Sequence, residues 1–417
     1  MKILFVTGLY TPDSEHYYHS VLKDTSMATP SNVYQWAVVK GLIENNADFE
    51  VCSFPFLPTY PKGLSIKNTK SEEIKYDGQI IGQSYSYSTI IGLKELDIRR
   101  KLKTVIRQWV KKNQSDDICL ILIYSVYGPF LKTAVDCAKK YTNVKVCPIV
   151  TDLFISSLSL LRKYPLLKQI QYFFEYRRIK YGIEEADTFV LLAKGMEKFV
   201  PRAVNNHVIV EGIAGDNIPK PANKDEKSIK TLLYTGSLGA HTSIKELVDA
   251  FMLTRDDNFR LVICGSGCYA DYIKLKSIED KRIIYQGTVS REESVQMQCD
   301  ATVLINPRLP SVQDTPFSFP SKTIEYLVSG TPMIGYRLVG ITEDYYEHFY
   351  IPLDESTVAL AELITEVLHL PQLELDCKSL KAWNFIMTQK TAKQQVKKML
   401  DFFRDHKYAN SSDLLNQ

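Results

Sequence analysis

Apolar runs of strand length alternate with helical stretches along this chain, and after residue 230 the alternation begins again. The first series is Ile3-Leu4-Phe5-Val6, Phe49-Glu50-Val51-Cys52, 118–124, 144–150 and 188–192. The second is 231–236, 259–264, 282–286, 301–305 and 332–336. Most of these runs are apolar without polar alternation, as in strands buried on both faces. The helices between them are what would cover those faces. The pattern therefore predicts an α/β protein with two Rossmann-like doubly wound parallel sheets. Its 417 residues also exceed what one core holds, at roughly 100–200 residues per domain.

The expected division is 1–210, then 211–383, with a terminal helical segment 384–417 packing back on the first domain. The polar, proline-bearing stretch 219–230 is the candidate linker. Ser31 or Asn32 is placed to cap a helix running from Val33 to Glu44, and 378–406 reads as terminal helix. The loop after Gly8 carries His16 and His19 as polar loop groups.

Charge divides along the same line. Residues 1–210 carry a net +8 and residues 211–417 a net −5, which the whole-chain value of +3 hides. The basic excess gathers in 94–112, with eight Lys and Arg, and in 156–180, with six interleaved with aromatic and aliphatic residues. A helix with basic and aromatic faces is suited to lie on an anionic membrane surface. The bland reading of both is a solvated helix face covering a sheet. The eight cysteines are scattered without a CxxC, as expected of reduced thiols in a cytoplasmic protein and not of a zinc or disulfide framework. Neither a secretory leader nor an apolar stretch long enough to span a bilayer is expected.

The most specific stretch is 316–334, PFSFPSKTIEYLVSGTPMI. It predicts a helix opening at Pro320 or Ser321, with Lys322 and Thr323 in its first turn and Gly330 closing it. Amides at a helix start, beside a lysine and two hydroxyls, suit a diphosphate. Glu325, one turn on, is placed to accept hydrogen bonds from a pair of ribose hydroxyls. The same residues would also serve as a plain capped surface helix. Around this stretch stand three strand–glycine exits: Tyr234-Thr235-Gly236-Ser237-Leu238-Gly239, Ile263-Cys264-Gly265-Ser266-Gly267 and Tyr285-Gln286-Gly287-Thr288-Val289. The middle one nearly spells a dinucleotide fingerprint but follows an internal strand, which argues against a nicotinamide cofactor.

Taken together these segments resemble the nucleotide-binding domain of GT-B glycosyltransferases, family 4, of the bacterial surface-polysaccharide type. The resemblance is sharpest over 232–336. It implies two domains facing an interdomain cleft and a retaining transfer from a nucleotide diphosphate sugar to a glycan or lipid-linked acceptor. No metal, no other cofactor and no nucleic acid would be involved. It places Gly236, Ser237 and Leu238, with Ser321, Lys322 and Thr323, at the donor phosphates. Glu325 would lie at the ribose, and Gly265, Gly287, Thr288 and Val289 at the nucleobase. Asp152, following Thr151, would reach the sugar from the first domain, and together with Lys322 it is the expected catalytic group.

Three family contacts are replaced: the first acid of the Glu pair by Phe317, the phosphate-binding arginine by Ser237 and the lysine by Thr242. The cleft histidine before Asp152 is Thr151. Lys322 is the expected substitute cation. Two rival readings follow from these losses or from the shared architecture, a non-catalytic assembly subunit and a nucleotide-sugar epimerase. No Gly-x-Ser-x-Gly elbow or Walker loop is present, so hydrolase and P-loop chemistry have no footing. His16, His19 and His241 lack the ligand spacing of a metal site.

Overall fold

The computed structural model describes residues 1–23, 29–113, 118–151, 166–215, 218, 220–312 and 319–406. The chain forms two compact units. The first comprises residues 1–192, 196–210 and 395–417, and the second residues 193–195 and 211–394.

Unit 1 is built in the order β1 (Lys2–Thr7), α1 (Pro12–Val21), α2 (Thr29–Glu44), β2 (Phe49–Ser53), β3 (Glu72–Tyr76), β4 (Gln79–Ser84), α3 (Lys94–Lys112), β5 (Cys119–Tyr124), α4 (Gly128–Ala138), β6 (Val144–Val150), α5 (Leu166–Glu185), β7 (Phe189–Leu191) and β8 (His207–Ile209). Its sheet runs β3-β4-β2-β1-β5-β6-β7-β8. β5 is buried at every position and β1 at all but Lys2. On one face α3 and α4 cover these strands, contributing Ile98, Leu102, Ile106, Phe130 and Leu131 to a core with Leu4, Val6, Ile121 and Ile123.

The sheet is parallel except at its edge, where β3 pairs antiparallel with β4 around Asp77-Gly78, both at positive φ. An Asp-Gly turn of this hand joins two strands without splaying them. These edge strands carry mostly polar or half-exposed residues, so they give no apolar run. Two further expectations change. Residues 12–21 are helix, begun by a Thr11–Ser14 capping box, so His16 and His19 are helical and not in a loop. The next helix starts at Thr29, and Asn32 caps nothing: it accepts the Tyr10 amide at 3.0 Å and donates to the Tyr10 carbonyl at 3.2 Å.

Unit 2 contains β9 (Lys230–Thr235), α6 (Ile244–Leu253), β10 (Phe259–Cys264), α7 (Ala270–Glu279), β11 (Ile283–Gly287), α8 (Arg291–Asp300), β12 (Val303–Asn306), α9 (Lys322–Leu327), β13 (Met333–Gly335), α10 (Thr357–His369) and α11 (Gln372–Gln389). The strand order is β11-β10-β9-β12-β13, all parallel. The winding reverses between β9 and β12, which makes the carboxyl edge beside β9 the place where such a sheet holds ligands.

The stretch 220–230 is a strap on unit 2 and not a free linker. The Lys224 amide donates to Asp376 Oδ2 at 2.9 Å, and the Gln372 amide to Glu226 Oε2 at 2.9 Å. The terminal helix is two helices, α11 and α12 (Ala392–Asp405), interrupted at Lys390. Lys390 turns inward. Its Nζ lies 2.7 Å from Asp344 Oδ2 and 3.3 Å from the buried Glu211 Oε1, to which Thr342 also donates at 2.7 Å.

Candidate functional site

The carboxyl ends of β9, β10 and β11 leave the sheet side by side, and their glycine loops stay zipped beyond it. The Gly236 amide donates to the Cys264 carbonyl at 2.9 Å, Leu238 to Ser266 at 2.9 Å and Gly265 to Gly287 at 2.7 Å. Gly265 has φ +139°, and a Cβ there would stand 1.7 Å from the Gly236 carbonyl oxygen. At Gly267, φ +155°, it would stand 2.5 Å from the Leu238 carbonyl carbon. Both glycines are therefore required by backbone meeting backbone. Tyr285 adds a hydroxyl bond to the Gly265 carbonyl at 2.9 Å.

This zipping corrects one expectation. The amides of Gly236 and Leu238 already have carbonyl partners, so they are not free donors to a phosphate. The Ser237 amide, between them, has no backbone partner among the described residues. Gly287, at φ +72°, and the exposed Thr288 continue the same edge, while Val289 packs its side chain on the core.

α9 stands over the end of β9. The Tyr326 hydroxyl, fully buried, accepts the Thr235 amide at 3.0 Å and donates to the Thr235 carbonyl at 3.1 Å. Tyr326 thereby fixes the helix to the last residue of β9. From the first helical position Lys322 reaches back over Gly236. A Cβ on that glycine would meet Lys322 Cε at 2.4 Å, Nζ at 3.2 Å and the Tyr234 hydroxyl at 2.9 Å. Burial pushes the Lys322 ammonium below the usual lysine range, and the nearby Glu325 carboxylate opposes that shift.

Ser321 is exposed at the helix start, but its side chain makes no cap bond. Thr323 is placed differently from its neighbours: its amide donates to the Pro320 carbonyl at 2.9 Å, and its side chain is fully buried with no hydrogen-bond partner for Oγ1 among the described residues. Gly330, at φ +77°, follows the helix as expected.

Glu325 is exposed, and Gln298 Nε2 donates to its Oε1 at 2.6 Å. Gln298 is buried, with Thr235 Oγ1 at 3.1 Å and Ser294 Oγ at 3.2 Å from the same nitrogen. Sequence reading missed both Gln298 and Tyr234, whose hydroxyl donates to the Ser237 carbonyl at 2.7 Å. Tyr234 was readable as the aromatic residue two positions before the glycine. Gln298 offered only a polar residue four places after Ser294 on a polar helix, a spacing that also fits solvent.

Asp152 and Phe317 lie outside the described residues. The neighbouring Thr151 hydroxyl donates to Ser125 Oγ at 3.3 Å, and Ser125 itself holds a left-handed φ of 68° at the end of β5. His241 is exposed, its ring against Gly239. Among the described residues no three His, Cys, Asp or Glu side chains converge as metal ligands. No described helix is long and apolar enough to cross a membrane. A separate cavity of about 760 Å³ in unit 1 is lined by Lys2, Asp48, Glu50, Trp109 and Lys112, at the start of β1 and β2.

Residues 229–369 match the family described as Glycosyl transferases group 1. No curated protein sequence matches the chain. Among solved structures, the apo lipopolysaccharide outer core galactosyltransferase WaaB is 16% identical with a TM-score of 0.57, over 97% of this chain and 99% of that one. A variant of S. aureus TarM bound to UDP, Fondaparinux and alpha-GlcNAc-glycerol is 9% identical with a TM-score of 0.56, over 97% and 100%. Anabaena HepE in complex with UDP is 10% identical with a TM-score of 0.58, over 97% and 100%. The chain shares the GT-B fold of these proteins, and its second unit carries the group 1 match.

Proposed function

We propose that this protein is a retaining glycosyltransferase that moves a hexosyl group from a nucleotide diphosphate sugar to a glycan or lipid-linked acceptor in polysaccharide assembly. The observation that carries this is the Lys322 ammonium laid over Gly236 at the exit of β9, with Glu325 held on the next turn of the same helix. The group 1 match over 229–369 supports it, as do the UDP complexes of TarM and HepE, which have the same fold.

The chemical problem is negative charge growing on the departing diphosphate. Lys322 would meet that charge from a half-buried position, where a cation acts more strongly than in bulk water. The Ser237 amide is the loop donor left to assist. Glu325, an ionised acceptor, would take the ribose hydroxyls. In this reading lysine and amide do the work that the family gives to an arginine and a lysine at Ser237 and Thr242, and no metal takes part. Asp152 is assigned to the sugar by resemblance alone.

The acceptor would be presented at a membrane surface on the cytoplasmic side. Supporting this, α5 exposes Ile170, Phe173 and Phe174 beside Arg177 and Lys180, and large apolar rings beside cations suit an anionic leaflet. One observation favours the rival reading as a non-catalytic assembly subunit: the Gly236 and Leu238 amides are closed in the loop zipper. Turnover separates the two. Incubation with UDP-, GDP- and dTDP-hexoses and a lipid-linked oligosaccharide fraction should release nucleoside diphosphate, with the product keeping the donor's anomeric configuration by NMR. Absence of both donor binding and nucleotide release under every condition would select the subunit reading.

A further inference from the structure

We infer that Gln298 is a positioning residue that fixes the Glu325 carboxylate for ribose, and that through it the site selects ribonucleoside over 2′-deoxyribonucleoside diphosphates. The inference rests on the donor reading above and adds a residue and a selectivity to it.

An exposed glutamate on a helix samples several rotamers, and ordering it on binding costs side-chain entropy. Gln298 removes that freedom beforehand. Its Nε2 holds Glu325 Oε1 at 2.6 Å, and the amide is itself confined by burial and by the Thr235 and Ser294 hydroxyls. Thr235 is in turn gripped by the Tyr326 hydroxyl. The adjacent residues Glu325 and Tyr326 are thus both tied to the last residue of β9, one through Gln298 and one directly.

The chemistry of the partner matters as much as its position. An amide NH2 can only donate; here it occupies Oε1 of Glu325 and leaves Oε2 to face a hydroxyl. A lysine or arginine at 298 would hold Glu325 equally well but would neutralise it. A neutral amide keeps the negative charge for the ligand, and charge-assisted hydrogen bonds are roughly twice as strong as neutral ones. A sugar lacking the 2′-hydroxyl offers this carboxylate one donor fewer.

The test measures dissociation constants of UDP, GDP and ADP for the full-length wild-type protein. The tightest of them is then compared with its 2′-deoxy counterpart on wild type, Gln298→Met and Gln298→Glu. Wild type should prefer the ribonucleotide by about tenfold, the order expected for one charge-assisted hydrogen bond. Gln298→Met should lose most of that preference by weakening the ribonucleotide more than the deoxynucleotide, which keeps only its 3′-hydroxyl for Glu325. Gln298→Glu, near-isosteric, sets two carboxylates against each other and should do the same, so a Met variant that fails to fold leaves the test standing. Gln298→Met combined with Glu325→Ala should bind no more weakly than Glu325→Ala alone. Equal weakening of both nucleotides, or an unchanged ratio, overturns the inference while the donor reading stands. If wild type binds none of the three nucleotides, the donor reading falls as well.

Discussion

The Lys322 side chain rests on Gly236: a methyl group on that glycine would lie 2.4 Å from Lys322 Cε and 3.2 Å from Nζ. The contact joins the exit of β9 to the start of α9, and it makes Gly236 a seat for the cation. The amide of Gly236 is already taken by Cys264.

Two glycines of the edge should consequently fail in different ways. Gly236→Ala meets the flexible end of Lys322 at 2.4 Å and the hydroxyl of the buried Tyr234 at 2.9 Å, so stability should fall by about 1 kcal/mol while Lys322 is displaced and nucleoside diphosphate affinity falls about tenfold. Gly265→Ala meets the Gly236 carbonyl oxygen at 1.7 Å with φ at +139°. It should cost about 2 kcal/mol or more and blunt the unfolding transition. Denaturant unfolding and nucleotide titration of both variants check the contrast.

Burial lowers the Lys322 pKa, so its charge is lost at a lower pH than that of an ordinary lysine. Affinity for nucleoside diphosphate should therefore decline on the alkaline side before exposed lysines titrate, and Lys322→Arg should flatten the profile. The fold itself should not weaken over that range. Between the depressed folded pKa and the unfolded one, the unfolded chain binds more protons, so this group's contribution to stability rises with pH. Titrations of affinity and of Tm against pH distinguish the two effects.

Lys390 and Glu211 are 5% and 1% exposed at the side chain, and Lys390 is the counter-charge to both Glu211 and Asp344. Lys390→Met should destabilise unit 2 by about 3 kcal/mol, because the buried Glu211 and the adjacent Asp344 lose the cation they share. Adding Glu211→Gln should recover part of the loss. Urea unfolding of the single and double variants is the measurement.

If α5 meets a membrane, wild type should sediment with anionic phosphatidylglycerol vesicles and not with neutral phosphatidylcholine, and 0.5 M salt should reduce the binding. Phe173→Ser with Phe174→Ser should reduce it while leaving nucleotide affinity unchanged. Retention of full vesicle binding by that variant would remove the assignment.

Much of the strand framework could be read in advance because its runs are buried on both faces. β6 and β10 fall where the apolar runs put them, and most other strands shift by only one or two residues at an end. The hairpin β3–β4 was not legible, since an edge strand buried on one side carries polar residues and leaves only the Asp77-Gly78 turn as a sign. Lys322 and Glu325 were readable because a lysine at a helix start, with a glutamate one turn on, suits a diphosphate and a ribose, and because the segment resembles the family's donor motif. Which amides were free was not readable: whether Gly236 and Leu238 face a ligand or a neighbouring loop depends on β10, about thirty residues on. Gln298 was hidden for a similar reason, since its partners Thr235 and Glu325 meet it only in the folded sheet.

The central claim is that a nucleoside diphosphate binds at the carboxyl edge of β9, β10 and β11 through Lys322 and Glu325. Calorimetric titration of UDP, GDP and ADP into wild type, Lys322→Ala and Glu325→Ala tests it most directly. At least one nucleotide should bind wild type, with each substitution weakening it by about tenfold or more. Wild-type affinity in both variants, or no binding of any nucleotide to the folded wild-type protein, would contradict the account.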